Sequence, residues 1–564
     1  MKSLRDHLLL RNRYLLAICA GVMLAASFPR PGIAGFAWIA PGLMAAAALG
    51  KEGGERFRIG YAAGLAHYLT MLYWLLLIPY RWHGIPFGPA AGWLSLSAFL
   101  ALYPAFWVWA ATATCGPRPE ANVPHPAPSD RPSIPSPLPG WSARTLWAMS
   151  GAALWVALEM FLTRVFGGFP WDLLGVSQFR MTPLIQIASV TGVYGVSFMV
   201  VWFSLSLLSA ALMLLQRPTL RSVWVGELFL PALVVALAFN LGFRHIRHSR
   251  PVSRTVKVTL MQPSIAQTLI WDETKDDERF RDIIALCDQA LTNQPDVLIW
   301  PESAVPKLLR YDTNTFNVIT GLARRHHVWM IIGADDAEPH RGATSAKDDD
   351  VDYFNSSFLI GPDGRLMERY VKRSLVIFGE YIPLARWLPF LKWFTPIQGG
   401  FTPGKRPVPF ELESLHLKTS VLICFEDIFP QLGRGAVEPD TDFLVNLTND
   451  GWFGEGAAQW QQAATALFRT VENRVPLIRC TNNGLTCWID AEGRLREIFR
   501  DDRDSIYGQG FMTVEIPVLP LGATRPPTLY NQHGDWFGWG CVGAAVLMIT
   551  SAISRNRQLK RELS

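Results

Sequence analysis

The chain has 564 residues, half of them hydrophobic and only 18% charged, with 22 Trp and 32 Phe. That balance is more apolar than one soluble core requires and points to a polytopic membrane protein. The net charge of +5 favours no particular partner, and with no nucleic-acid-binding motif in the chain a nucleic-acid function is excluded.

Apolar stretches of spanning length run over Tyr14–Phe28, Ile33–Leu49, Ile59–Ile78, Ala90–Ala113, Thr145–Val165, Val193–Leu215 and Val223–Phe243, and an eighth lies at Trp536–Ile553. Basic residues before the first stretch and small residues closing it also fit a cleaved signal sequence; the short loops, however, organise around an uncleaved first span. With the N-terminus cytoplasmic, the inner short loops and tails hold sixteen Lys and Arg and the outer loops four, Arg30, Arg81, Arg164 and Arg180. Both termini then read as cytoplasmic, and the long segment between the seventh and eighth spans as outside. Arg244, Arg247, Arg250 and Arg254 follow the seventh span on the outer side. They either lead into a large translocated domain, where the charge rule loses force, or bind lipid headgroup phosphate. Charge is scarce inside the spans, Glu159 being the main exception.

Nine prolines between Pro117 and Pro139 predict an unstructured cytoplasmic loop over 116–142. From about Val256 to Pro520 the texture changes. Val256–Leu260, Val297–Trp300, Val328–Ile332, Phe354–Ile360, Leu417–Cys424, Phe443–Leu447, Leu477–Thr481 and Leu485–Ile489 read as β runs, and Asp277–Leu291, Thr315–Arg325 and Ala457–Asn473 as helices between them. Pro362-Asp363-Gly364 and Asn482-Asn483-Gly484 supply hairpin turns. The expected organisation is a seven-span membrane domain over 1–245, an α/β domain over 255–520, and an eighth span with a cytoplasmic tail over 534–564.

Within the α/β part, Trp300-Pro301-Glu302-Ser303, Lys372-Arg373-Ser374 and Leu422-Ile423-Cys424-Phe425-Glu426-Asp427 offer a carboxylate, an ammonium and a thiol in apolar, strand-like settings. A cysteine needs a base to become a thiolate at neutral pH, and the oxyanion formed after its attack needs a cation or N–H donors. Each residue also has a plainer reading. Glu302 is either a solvated loop carboxylate or a buried base whose pKa rises on burial. Lys372 is either one of a surface basic string with Arg369 and Arg373 or a site cation. A lone cysteine is commonly a small buried hydrophobe or half of a disulfide, and Cys287, on an apolar helical stripe, reads as the former. Cys480 and Cys487 flank the Asn-Asn-Gly turn and either pair across it or stay free. Cys424 ends an apolar strand and is followed by two acids, which suits a reactive strand end. No Cys pair of zinc-ligand spacing and no His cluster is present, so neither a metal nor a cofactor is expected.

The order Trp-Pro-Glu302, then Lys372 after Tyr370-Val371, then Cys424 after Val421-Leu422-Ile423 resembles the carbon–nitrogen hydrolase (nitrilase) superfamily, whose Glu-Lys-Cys site sits in an α-β-β-α sandwich. Phe378-Gly379-Glu380-Tyr381-Ile382-Pro383, Thr448 through Gly454, Arg479 through Gly484, Tyr73-Trp74-Leu75, and Pro170-Trp171 through Gln178 and Gln186 to Gly192-Val193-Tyr194-Gly195 resemble the apolipoprotein N-acyltransferases within it. The resemblance implies an acyltransferase in a bacterial inner membrane, with its catalytic domain on the periplasmic side, acting as a monomer. Glu302 would be the base, Cys424 the nucleophile that carries a thioester, and Lys372 with the Phe425 N–H the oxyanion donors. Glu380 would orient Lys372, while Glu426, Phe425, Trp271 and Trp387 would support substrate. The implied donor is a membrane phospholipid, and the implied acceptor is the α-amino group of a diacylglyceryl N-terminal cysteine on an apolipoprotein.

Ser374, Ile377, Phe425 and Gln462 depart from the family pattern of His, Pro, Tyr and His. Leu384–Phe394, rich in Trp, Phe and Leu, reads either as an arm dipping into the membrane interface or as a loop packed on the domain. Two rival readings of the whole chain are a membrane-tethered amidase or nitrilase and a non-catalytic membrane scaffold.

Overall fold

The computed structural model describes residues 12–79, 87–113, 140–216, 219, 221–248, 254–270, 272–339, 351–383, 387 and 400–562. The membrane half contains α1 (Arg13–Ala26), α2 (Ala40–Ala48), α3 (Gly53–Met71), α4 (Gly88–Leu100), α5 (Leu102–Ala113), α6 (Trp141–Leu162), α7 (Val193–Gln216) and α8 (Arg221–Arg247). Among the described residues, four of its helical stretches are long and apolar enough to cross a bilayer: the α4–α5 run, α6, α7 and most of α8.

The eight expected spans are thus not all long helices. The second expected span breaks into a 3-10 turn at Ala34–Trp38 and α2, whose first turn holds Pro41. The third begins in α3 behind Glu55, Arg56 and Arg58, and ends in a 3-10 turn at Tyr73–Leu77. Small residues let these helices approach closely, as is common where lipid supplies no hydrophobic drive between helices. A Cβ on Gly60 of α3 would stand 2.8 Å from Ala105 Cα of α5, and one on Gly64 would stand 2.9 Å from the Ala101 carbonyl oxygen.

The α/β half consists of β1 (Thr255–Gln262), α9 (Asp276–Leu291), β2 (Val297–Ile299), α10 (Thr313–His326), β3 (Trp329–Pro339), β4 (Val351–Ile360), β5 (Leu366–Val371), β6 (Pro409–Leu412), β7 (Leu417–Ile423), β8 (Phe443–Thr448), α11 (Ala458–Asn473), β9 (Leu477–Thr481), β10 (Cys487–Ile489), β11 (Leu495–Ile498) and β12 (Gly510–Pro517). Beyond it α12 (Trp536–Glu562) returns to the membrane helices, with Gly538 packed on Met160 of α6.

The strands form two six-stranded sheets, ordered β12-β1-β2-β3-β4-β5 and β11-β10-β9-β8-β7-β6. In each, three central neighbours are parallel (β1, β2, β3 and β7, β8, β9) and the flanking pairs antiparallel. Val258, Ile299 and Ile331 of one sheet meet Val421, Val445 and Leu447 of the other in a shared core. On the far face of the first sheet, Ile283 and Leu286 of α9 and Ile319 of α10 cover Leu298 and Met330. On the far face of the second, Ala463 and Leu467 of α11 cover Leu422 and Leu444, and that cluster runs on into the membrane helices. This is the α-β-β-α layering the resemblance implied.

The eight β runs and three helices read from the sequence all appear, whereas β5, β6, β11 and β12 were not among those runs. All four lie at a sheet edge, where polar residues alternate into the strand and hide its apolar period. The Asn482-Asn483-Gly484 hairpin forms, but Cys480 and Cys487 remain free thiols. Cys480 packs between the sheets and Cys487 on the outer face beside α11, so strand pleating holds the sulfurs apart.

Gly60→Val would force α3 away from α5. A lower Tm of the purified protein, equivalent to about 1–3 kcal/mol of overpacking, is expected, while the same change at Gly226, whose Cβ would meet nothing, should leave Tm within about 0.5 kcal/mol.

Candidate active site

The ends of β2, β5 and β7 converge on one side of the sandwich, as parallel strands flanking a shared core bring their C-terminal ends together. Glu302 follows β2 through Trp300 and Pro301, Lys372 follows β5, and Cys424 follows β7. All three line an open cavity of about 250 Å³, together with Glu380, Asn355 and Asn449. Leu75 and Ile78 of the membrane half line it too, so its walls belong to both halves.

Lys372 is 1% exposed and donates from Nζ to Glu302 Oε1 at 3.0 Å and to Glu380 Oε1 at 2.8 Å. Burial alone would lower its pKa, but the Glu302 and Glu380 carboxylates prevail and hold it well above the ordinary lysine value. The site therefore keeps a fixed cation. Asn355 Nδ2 bridges the same two carboxylates at 2.8 and 2.9 Å. Glu302 Oε2 accepts from the Asn449 N–H at 3.0 Å, and Glu380 Oε2 from the Val376 N–H at 2.8 Å. Every carboxylate oxygen of the pair is thus tied to a donor, which fixes the position of the Lys372 ammonium.

Cys424 sits in the left-handed region at φ 51°, a conformation that costs a non-glycine residue on the order of 1–3 kcal/mol and is stored at functional turns. Its carbonyl accepts from Asn446 Nδ2 at 3.0 Å and Gln462 Nε2 at 3.1 Å, which holds the turn. Burial, followed by the Glu302 carboxylate, pushes its thiol well above the usual range, against the pull of Lys372. At neutral pH the resting sulfur is protonated and needs a base.

Glu426 lies outside the cavity. Fully buried, it accepts from the Arg373 N–H at 2.6 Å and the Ser374 N–H at 3.1 Å through Oε1, and from the Ile423 N–H and Tyr370 Oη, both at 2.8 Å, through Oε2. It ties the lysine loop to the nucleophile turn. Behind it, Arg479 pairs with Asp427 and lies 3.6 Å from Asp450. Burial raises Asp427 to about 6 and Asp450 to about 7, with Arg479 opposing in both cases.

The structure thus brings Glu302, Lys372, Glu380 and Cys424 together and places the Glu426 carboxylate one layer back. The Phe425 ring stacks toward Trp171 and Phe169 of the membrane half, with centroids 6.5 and 6.2 Å away. Trp387 is 79% exposed and not on the cavity wall. Trp271 and the rest of the 384–394 arm lie outside the described residues. Of the departures from the family pattern, Ser374 serves through its backbone, Ile377 lines the cavity and Gln462 braces the Cys424 carbonyl.

Sequence reasoning missed Asn355 and Asn446. A signal was there for Asn446, an amide inside the largely apolar run Phe443–Leu447, since buried polar groups are held by partners; Asn355 stands beside Ser356 and Ser357 and does not stand out in that way. Arg479 and Asp450 stood inside motifs already singled out but carried no assigned role.

The chain's first half, residues 20–206, matches the family profile described as the apolipoprotein N-acyltransferase N-terminal domain, and residues 257–507 match that of carbon-nitrogen hydrolase. Apolipoprotein N-acyltransferase of Geobacter metallireducens is 34% identical over 550 residues, 97% of this chain and 96% of that protein. That of Bradyrhizobium diazoefficiens is 30% identical over 74% of this chain and 76% of its own length. Among solved structures, an amidase from Nesterenkonia sp. aligns over 50% of this chain and 96% of its own, at 15% identity and a TM-score of 0.35.

Glu426→Gln would turn one acceptor oxygen into a donor facing occupied N–H groups, leaving a buried donor unsatisfied at a cost of about 1–3 kcal/mol. A lower Tm is expected, together with slower labelling of Cys424 by a thiol reagent. For Asp450, the unfolded carboxyl ionises near pH ~3.9, whereas the folded one keeps its proton to about 7. Between these values the folded state binds more protons, so this group's contribution to stability falls as pH rises through that window. Asp450→Asn should remove that part of the decline, seen as a flatter plot of Tm against pH from about 4 to about 7.

Proposed function

The chain belongs to the apolipoprotein N-acyltransferase family, and from that premise we propose that it moves an acyl chain from a membrane phospholipid, through a thioester on Cys424, to the α-amino group of a diacylglyceryl N-terminal cysteine on an apolipoprotein. It is an acyltransferase of the carbon–nitrogen hydrolase superfamily and a membrane protein that serves lipoprotein N-acylation. The observation that carries the finer reading is the shared cavity, in which Glu302, Lys372 and Cys424 face a wall that includes Leu75 and Ile78.

In the first step Glu302 takes the Cys424 proton and the thiolate attacks the phospholipid ester carbonyl. The oxyanion faces the Lys372 ammonium and the Phe425 N–H. Collapse breaks the ester bond, Glu302 returns the proton to the departing lysophospholipid oxygen, and the acyl group stays on sulfur. In the second step Glu302 takes a proton from the acceptor amine, whose nitrogen attacks the thioester carbonyl. Collapse forms the amide and releases the Cys424 sulfur, which regains its proton from Glu302.

Glu380 keeps Lys372 aimed at the carbonyl. Both substrates carry chains that cost ~0.8 kcal/mol per CH₂ to expose to water, so a cavity walled partly by membrane helices suits them. The sixteen-to-four bias of basic residues supports a catalytic half on the outer, periplasmic side of an inner membrane, and the chain acts as a monomer.

Incubation with phospholipid should give an acyl adduct on Cys424 by mass spectrometry, and a diacylglyceryl peptide should then discharge it as an N-acyl peptide. Free fatty acid with no acylated peptide would instead mark a hydrolase, and absence of any adduct a scaffold. Cys424→Ala should abolish adduct and product, and Cys424→Ser should be nearly inactive, with the protein still in the membrane. Glu302→Gln should slow adduct formation by about 10²–10⁴-fold, the usual cost of losing a general base; normal adduct accumulation would move the base elsewhere.

A further inference from the structure

A second cavity, of about 40 Å³, lies within the membrane half and is lined by His67 of α3, Glu159 of α6 and Asp172 of the loop after α6. The three side chains are 5%, 6% and 6% exposed. Glu159 Oε1 accepts from the Leu174 N–H at 2.8 Å and from Trp155 Nε1 at 3.0 Å, and Asp172 Oδ1 meets Thr465 Oγ1 at 3.4 Å. Glu159 Oε2, Asp172 Oδ2 and His67 Nδ1 are buried with no hydrogen-bond partner. Unsatisfied polar atoms of this kind, two of them carboxylate oxygens, are costly to bury unless a ligand completes them.

The same half shows what a self-sufficient buried carboxylate looks like. Glu227 of α8 receives Arg144 Nε at 2.9 Å and Ser209 Oγ at 2.8 Å. Among the described residues, no Lys or Arg pairs with Glu159 or Asp172, so the missing partner must come from outside the fold.

We propose that this cavity binds a primary ammonium group. It brings N–H donors to the unpartnered Glu159 Oε2 and Asp172 Oδ2, and a cation to two carboxyl groups that lack one among the described residues. Tyr68, Tyr103 and Trp155 add ring faces of the kind that attract cations. A multidentate metal fits less well, because no three His, Cys, Asp or Glu among the described residues are arranged to hold one. A choline-type head lacks N–H donors and would leave both carboxylate oxygens unsatisfied.

Tyr103, Trp155 and Leu158 on the cavity wall are only partly buried, so the cavity reaches the helix surface that faces lipid. The ammonium therefore arrives either on a lipid headgroup or as a free amine. The site is separate from the catalytic cavity but linked to it. Asp172 adjoins Trp171, whose ring lies 5.0 Å from Trp74 and stacks on Phe425, next to the nucleophile.

The test uses the full chain in nanodiscs of choline-headgroup lipid doped with ethanolamine-headgroup lipid, followed by mass spectrometry of lipid retained on the purified protein. Retention of the ethanolamine lipid at about tenfold over its choline counterpart is expected, falling to parity in a Glu159→Gln, Asp172→Asn double variant. In ethanolamine-free nanodiscs, a rise in Tm with millimolar ethylammonium that the double variant lacks would assign the site to free amines and keep the ammonium reading. Equal retention of the two lipids without any ethylammonium effect overturns it, as does a preference that survives the double substitution. Should the double variant not fold, wild-type retention decides alone, since ethylammonium must displace the ethanolamine lipid and tetramethylammonium must not. Because retention rather than acyl transfer is measured, failure here leaves the Cys424 mechanism standing.

Discussion

Helix α11 is buried on all sides, and the arrangement of both halves depends on it. One face lies on the second sheet and the opposite face on the membrane helices, so its polar residues must find partners in both directions. Gln461 Oε1 accepts from Trp74 and Trp171 Nε1 at 2.9 and 2.8 Å, and Glu472 from the Val193 N–H at 3.0 Å. One residue on, Gln462 reaches the Cys424 carbonyl, and a further two turns along, Arg469 reaches the Ile428 carbonyl at 2.9 Å. Helical spacing thus sends 461 and 472 toward the membrane and 462 and 469 toward the nucleophile turn. The catalytic turn is registered against the membrane helices through a single rigid element.

That registration gives the fixed charge at Lys372 its use. An ammonium this deeply buried persists only because two carboxylates surround it, and Asn355 and the backbone at Val376 and Asn449 in turn hold those carboxylates. The groups need little rearrangement when negative charge develops on a bound carbonyl, which is the condition under which electrostatic stabilisation contributes most to rate. Glu426 extends the same logic backward by fastening the Lys372 loop to the Cys424 turn, so the cation and the nucleophile move together or not at all.

Much of this was legible in the sequence, and the reason differs by element. The central strands announced themselves because sheets covered on both faces need near-continuous apolar runs, while β5, β6, β11 and β12 lie at the edges and lose that signal. Glu302 and Cys424 were readable because each is a reactive group at the end of such a run, whereas Lys372 follows the edge strand β5 and was picked out by the resemblance. Glu426 was placed against substrate because a carboxylate two residues after the nucleophile invites that reading; three of its four donors come from a segment more than fifty residues away, and spacing carries no such information. The membrane spans blurred for a related reason. Hydropathy sees composition, but the 3-10 turn at Ala34–Trp38 is held within the membrane half by Gln178, and that at Tyr73–Leu77 meets the catalytic half through Trp74.

The turn at Tyr73–Leu77 shows what that blurring conceals. A straight continuation of α3 would carry Leu75 and Ile78 onward along the helix axis. The turn instead presents Trp74 to Gln461 and Leu75 to the catalytic cavity. Irregular backbone at this depth is tolerated where protein buries it or a cavity receives it, and here both conditions hold at once. The departure from regular helix is therefore part of how apolar wall is delivered to the site: a residue of the membrane half reaches the thiol's cavity because the helix stops before it.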